Sequence, residues 1–398
     1  MKLSLLHLTA FLLVNSISYS QKQETTYYAD GKKVKEEFSY NLVDGKKQKE
    51  GSYKIYYPSG KIWQQGNFKN DLPVGLWKVY YPNSVLKETV NYKAGKRDGA
   101  SSKFFEENGS IYQELSYSAD MLNGKVTTYF ADGKLSEVNQ YRQDTLDGDC
   151  YGNFENGKIS FRQHYAMGKK VGAGSAFYES GLKKEEAQFK NGMYQGEFIS
   201  YRNDTVNSIQ IRCNYENGKM NGTFFSYYKN GSILKIGQYR DDLLQDTLTQ
   251  YFSSKIPGKD RGAVLEKGKY VDNFREGLWT AWYPDGKIYS QGNFKKGKLN
   301  GEWKVYHSNG ELKQIGAYAD DLEQGEWKYF HPNKKIYQEG KYEKGNKIGA
   351  WMMYYDNGTK QGQFLYSDKG LLEGLQSLYD KDGKLLKERM FENGVEKK

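Results

Sequence analysis

The chain has 398 residues, with 44 Gly, 36 Tyr and 19 Phe against 6 Pro, and a formal net charge of +10. Glycine at this level without a Gly-X-Y period excludes collagen, and the aromatic content excludes a disordered chain. With only two cysteines, the fold must hold without a framework of disulfides.

Residues 1–20 read as a secretory signal peptide. Lys2 gives a positive start, residues 3–14 are mostly apolar, and Ser18-Tyr19-Ser20 forms a small-x-small cleavage site before Gln21. The stretch is too short to span a bilayer, and no later one is long and apolar enough. The expectation is an exported chain with no stable membrane insertion. From residue 21 onward one pattern repeats, about every 24 residues. Residues 22–50 read as a capping unit, 51–245 as repeats, 246–276 as a repeat with an insertion and 277–398 as Trp-rich repeats. Gly51, Gly75, Gly99, Gly124, Gly148, Gly172, Gly196 and Gly222 open the first series. Gly277, Gly301, Gly325, Gly349 and Gly374 open the second.

The unit from Gly301 shows the local logic. Residues 303–306 read as a strand, and Ser308-Asn309-Gly310 as a hairpin turn, since Asn-Gly supplies positive φ. Residues 312–318 read as the return strand, and residues 320–325 as a second turn. No stretch keeps a helical period. The predicted fold is all-β: an elongated antiparallel meander of about fifteen hairpins in a single-layer twisted sheet. With the opening Gly as position zero, position 17 is aromatic, as in Phe68, Tyr92, Phe294 and Tyr318. Position 2 is Trp at Trp77, Trp279, Trp303, Trp327 and Trp351, and position 15 is Gly at Gly66, Gly237, Gly292, Gly316 and Gly340. Positions 2 and 15 of one hairpin should lie opposite, so that the ring crosses the glycine. Trp77 facing Val90 and Trp351 facing Phe364 are exceptions to that pairing.

The cores, such as Gly277-Leu278-Trp279 through Trp282-Tyr283 to Gly286-Lys287, resemble the MORN repeat in its bacterial variant form. The resemblance covers nearly all of residues 22–398. It implies a binding or scaffolding module, with lipid or protein partners. For some relatives it implies a YwqK-type antitoxin role.

Little in the sequence points to catalysis. No G-x-S-x-G, H-E-x-x-H, C-x-x-C or P-loop pattern occurs. His307 and His331 occupy one slot in adjacent units, about 10 Å apart, too far to share a zinc ion. They read as substitutes for the usual second aromatic. Carboxylates such as Asp320-Asp321 read as solvated turn residues, and N-G-S/T triplets as turn chemistry. Lysines after turn glycines, such as Lys61, Lys134 and Lys287, read mainly as solubilising charge. Cys150 and Cys213, two repeats apart, read as unpaired apolar fillers. Neither a cofactor nor a metal is expected.

The leading reading is an exported, non-catalytic binding or scaffold protein whose partner is a protein or cell-envelope component, not nucleic acid. Adjacent aromatic pairs, Tyr80-Tyr81, Trp282-Tyr283 and Tyr354-Tyr355, should place one ring on each face of the sheet, and those rings are the candidate binding residues. Lys259 and Arg261, in the insertion around residues 253–264, are the further candidates. The alternatives are a toxin-neutralising protein, an envelope glycan-binding protein and a cell-wall glycan-acting enzyme.

Overall fold

The computed structural model describes residues 21–256 and 258–398. The signal-peptide reading of residues 1–20 lies outside them, as does Pro257 of the insertion. Among the described residues there are 34 strands and no helix. The chain divides into two compact units, Met1–Lys169 and Lys170–Lys398. Within each, successive strands pair antiparallel in chain order, hairpin after hairpin. The meander of hairpins expected from the sequence is therefore observed. The strand count exceeds two per hairpin partly because three short strands, Met121–Leu122, Thr145–Leu146 and Lys219–Met220, are cut from their continuations. Asn123, Asp147 and Asn221 mark those cuts, and each N–H still donates to the neighbouring strand.

The turns follow the sequence at one edge and depart from it at the other. Strands Lys298–Tyr306 and Leu312–Ala319 flank the expected Asn-Gly turn, where Gly310 has φ 92. The second turn is shorter than predicted. It consists of Asp320 and Asp321, at φ 50 and 73, two left-handed residues that fit a tight hairpin. The next strand, Leu322–Phe330, already contains Gly325. The opening glycine is thus no turn residue. It sits inside a strand at a bulge, where the pairing jumps from Ala317↔Gln324 to Ile315↔Lys328. Gly316 there opposes three residues, Gly325, Glu326 and Trp327, and the φ of 74 at Gly325 is left-handed geometry that favours glycine.

The core lies on the tryptophan face. The predicted register is observed: Trp279 pairs with Gly292, Trp303 with Gly316 and Trp327 with Gly340. The direction of the rings is not as predicted. Each indole leans away from its own hairpin and covers the position-15 glycine, or Gly268, of the preceding one. A Cβ on Gly66 would stand 2.2 Å from Trp77, on Gly268 2.2 Å from Trp279, on Gly292 2.2 Å from Trp303, on Gly316 2.0 Å from Trp327 and on Gly340 2.2 Å from Trp351. This removes the two exceptions, because Val90 and Phe364 lie on the uncovered side. Position-17 rings meet the indoles edge-on, as Tyr342 does Trp351 at 4.8 Å and Phe68 does Trp77 at 5.1 Å. Cations lie over the outer indole faces, Arg275 at 4.0 Å from Trp279 and Lys347 at 4.2 Å from Trp351. Where tryptophan is absent, smaller residues fill the same layer, as in the cluster of Leu115, Tyr117 and Val126.

Cys150 and Cys213 are both buried and free. Burial raises both thiols, Cys213 to about 11. Neither should react with an alkylating reagent at neutral pH in the native protein, and both should react after unfolding without reductant. Rapid labelling of the folded chain, monitored by mass, would contradict this packing.

Candidate functional site

The second aromatic of each pair leaves the strand and joins the turn, and this changes its role. Tyr81, Tyr283 and Tyr355 follow strands ending at Tyr80, Trp282 and Tyr354, where a register shift ends the alternation. Alternation therefore does not assign these residues to faces. Each hydroxyl reaches the next hairpin and donates to its backbone. Tyr57 bonds the Tyr80 carbonyl at 2.8 Å, Tyr81 that of Phe104 at 3.1 Å and Tyr178 that of Tyr201 at 2.8 Å. Tyr228 bonds the Tyr251 carbonyl at 2.8 Å, Tyr283 that of Tyr306 at 2.8 Å and Tyr355 that of Tyr379 at 2.9 Å. His307 and His331 make the same bond through Nε2, to Phe330 and Tyr354. The substitution read from the sequence is thus a functional equivalence within the fold. Phe105, Phe130, Phe154 and Phe252 occupy the same slot and carry no hydroxyl to make the bond. Tyr283→Phe should cost about 1 kcal/mol, the ordinary net value of one such bond. Denaturant unfolding of the variant measures it, and an unchanged midpoint would show that the bond contributes nothing.

The first aromatic bonds in the other direction. Tyr354 donates to Glu339 at 3.1 Å and Tyr129 to Glu114 at 2.7 Å, while Tyr56 bonds Glu37 and Tyr201 bonds Glu186. Tyr80 accepts from Gln65 at 2.9 Å. The hydrogen bond to Glu114, then burial, raises Tyr129 from 10.0 to about 12. Burial, then the carboxylate bond, does the same for Tyr56 and Tyr201. A phenol raised on folding stabilises the fold fully below its unfolded value, and the contribution disappears as pH rises through the folded value. An alkaline unfolding transition between pH 10 and 12 should follow, and Tyr201→Phe should weaken its pH dependence. Circular dichroism against tyrosinate absorbance tests this, and a fold indifferent to pH across that window would sink it.

The turn residues are also engaged. Asn309, Asn333 and Asn357 donate to carbonyls of the next turn at 3.0, 2.8 and 3.1 Å. Lys287 and Lys335 do so through Nζ. Asn108, in an Asn-Gly-Ser triplet, bonds the Ala131 carbonyl and accepts from Ser110, so turn chemistry does account for that triplet. At the opposite edge Asp71, Asp144, Asp242 and Asp321 accept backbone N–H bonds from the preceding hairpin. These carboxylates and several lysines, read as solvated, instead join repeats.

The insertion folds back rather than projecting freely. Ile233 donates to the Asp260 carbonyl at 2.7 Å and forms a parallel bridge with Arg261. The Arg261 guanidinium lies 5.6 Å from the Tyr251 ring. Lys259 lines an open depression of about 480 Å³ with Phe252, Ile256, Ala263 and Pro284. Its lining carries no carboxylate. Among the described residues no group of His, Cys, Asp and Glu is arranged to hold a metal ion.

One set of rings escaped the sequence reading. Position 12 carries Trp63, Tyr289 and Tyr337, with Tyr112 in the same place after a one-residue insertion. They are 42%, 45%, 38% and 41% exposed. Each packs against the second-slot ring of its own hairpin: Tyr57, Tyr283, His331 and Phe105, at 5.9, 5.2, 5.2 and 5.1 Å. None of the four side chains forms a hydrogen bond among the described residues. The available signal was the dipeptide Ile-Trp or Ile-Tyr after the hairpin turn.

A model described as MORN repeat variant matches residues 49–70, 73–94, 122–143, 220–241, 275–296, 299–320, 323–344 and 372–393. No curated protein matches the chain. Among solved structures it is similar to TcdB2-TccC3-Cdc42, at 10% identity over 91% of this chain and 20% of that one, with a TM-score of 0.15. It is also similar to the Photorhabdus luminescens Tc holotoxin pore, at 10% identity over 90% and 23%, with a TM-score of 0.16. A porin-like protein from Bacteroides uniformis is similar at 10% identity over 74% and 93%, with a TM-score of 0.13. The chain thus spans about a fifth of the toxin-complex chains it matches. Scores of this size carry no argument about fold or function.

Proposed function

The chain is a MORN-repeat protein, and from that premise we propose that it is a non-catalytic binding or scaffold protein, exported, with a protein or cell-envelope component as partner. One observation carries the reading: Trp63, Tyr112, Tyr289 and Tyr337 are exposed rings that no hydrogen bond of the fold employs. Exposed aromatic rings in a row mark an interaction surface, and repeat arrays present such rows at a regular spacing. Tyr283 contributes by supporting Tyr289, while Tyr81 and Tyr355, through their hydroxyls, and Tyr80, Trp282 and Tyr354 contribute by holding the hairpins that carry these rings. Lys259 and Arg261 form a second, smaller contact region. On this reading no cofactor takes part, and the partner is not nucleic acid.

The test is affinity capture from an envelope extract of the source cell, using the full chain as bait. A saturable partner should be held by the wild type and lost by a variant carrying Trp63→Ala, Tyr112→Ala, Tyr289→Ala and Tyr337→Ala. Tyr283→Phe with Tyr355→Phe, which keeps both rings, should retain it. Equal capture by the four-ring variant would reject the surface.

A further inference from the structure

Position 12 carries more than rings. In successive hairpins of the second unit it reads Tyr289, Lys313, Tyr337, and in the first unit Trp63, Lys87, Tyr112. The same order, ring then lysine then ring, stands at the same register in both units. Neighbouring hairpins are two strands apart, so each step is about 10 Å and the rings are about 19 Å apart. Tyr289, Lys313 and Tyr337 are each the residue that the pairing skips, between Ile288 and Ser290, Leu312 and Gln314, and Ile336 and Gln338, so all three stand at the same bulge beside the turn of their hairpin.

Three features define what such a ledge would hold. First, Tyr289 and Tyr337 each pack against one supporting ring and remain 45% and 38% exposed. A peptide anchor needs a closed, desolvated pocket, whereas a flat ring-shaped partner needs only a face to lie on. Second, Lys313 is exposed and makes no ion pair or hydrogen bond among the described residues. Around it, the turns of these hairpins carry Lys287, Lys334 and Lys335 against Asp285 and Glu311. Both carboxylates are already paired, with Lys287 at 3.5 Å and Lys334 at 3.2 Å. The free charge of the ledge is positive. Third, the features recur at a fixed step, which calls for a partner that is itself a repeating polymer.

Resting on the binding reading above, we propose that the Tyr289–Lys313–Tyr337 ledge binds an acidic polysaccharide. Sugar rings stack on Tyr289 and Tyr337, and a carboxylate-bearing sugar between them meets Lys313. The first unit carries a second copy of the ledge.

The experiment is calorimetric titration of the full chain with a hyaluronan oligosaccharide long enough to span the two rings. Three probes run beside it: a neutral chito-oligosaccharide of equal length, polyglutamate, and vesicles containing anionic lipid. The hyaluronan oligosaccharide should bind, and binding should weaken as salt rises. Tyr289→Leu and Tyr337→Leu, combined with Trp63→Leu and Tyr112→Leu in the other copy, keep apolar bulk but remove the flat faces, and should weaken binding roughly tenfold or more. Lys313→Gln with Lys87→Gln should weaken it severalfold and remove most of the difference from the neutral oligosaccharide. Unchanged hydrogen exchange in each variant confirms that the fold persists. The proposal is overturned if the hyaluronan oligosaccharide does not bind, if the ring variant binds it as well as wild type, or if polyglutamate or the vesicles bind equally well. If the oligosaccharide fails while the four-ring variant still loses its envelope partner, the binding surface stands and its acidic-polysaccharide assignment falls.

Discussion

Replacing Trp351 by alanine should cost about 3–5 kcal/mol, and the damage should stay local. The indole has 0% of its surface exposed. It covers Gly340, meets Tyr342 edge-on at 4.8 Å, carries Lys347 over its other face and donates from Nε1 to the Lys341 carbonyl at 3.2 Å. All these partners lie in the strands Ile336–Glu343 and Asn346–Tyr354. A repeat touches only its neighbours, so the loss should appear in hydrogen exchange between Leu322–Phe330 and Lys360–Tyr366. Protection across the remaining strands of the second unit should hold. Uniform loss from Lys170 onward would show that the unit unfolds as one body. Trp303→Ala should cost less, because that indole is only half-buried.

The sequence carried the architecture because turn chemistry and period are local signals. Asn309-Gly310 marks a hairpin whatever surrounds it, and the recurrence of the unit multiplies that signal. Two kinds of information were beyond it. A period says that Trp327 and Trp351 are equivalent, but not which of two adjacent strands each ring covers. Both neighbours of a strand in a meander are equally close in space. Nor does alternation survive a bulge. The shift at Met353/Tyr354 breaks the rule that assigned Tyr354 and Tyr355 to opposite faces. A glycine such as Gly325 reads as a turn because positive φ is commonest there, although here it serves a bulge within a strand.

The candidate site was less legible for a related reason. Adjacent tyrosines look like spare surface when only burial is considered. Their hydroxyls, however, are the parts the fold uses, and a hydrogen bond to a carbonyl of the next hairpin leaves no composition signal. Tyr283 and His307 share that bond despite different chemistry, whereas Tyr283 and Phe252 share a ring but not the bond. The rings the fold leaves over, at position 12, occur in only some repeats. They stand out only once the bonded ones are set aside.

Substituting alanine at two glycines should separate the two reasons this chain uses glycine. At Gly301 φ is +93 and nothing lies within 4 Å of an added Cβ. The cost of Gly301→Ala is backbone strain alone, about 1 kcal/mol. At Gly316 the backbone needs no left-handed geometry, but an added Cβ would stand 2.0 Å from Cδ2 of Trp327, whose side chain is 1% exposed. The ring cannot stay, and moving it forfeits its burial, so Gly316→Ala should cost about 3 kcal/mol or more. The diagnostic is a double-mutant cycle. Trp327→Ala removes the ring, after which the methyl group on residue 316 has room and fills part of the vacated space. The double variant should then be no less stable than Trp327→Ala alone, giving a coupling of about 2–3 kcal/mol. Gly301→Ala combined with Trp327→Ala should instead come closer to additive. Additive losses for Gly316→Ala with Trp327→Ala would mean that the glycine does not exist to admit the ring. The leaning of each indole onto the preceding hairpin would then not be what holds neighbouring repeats together.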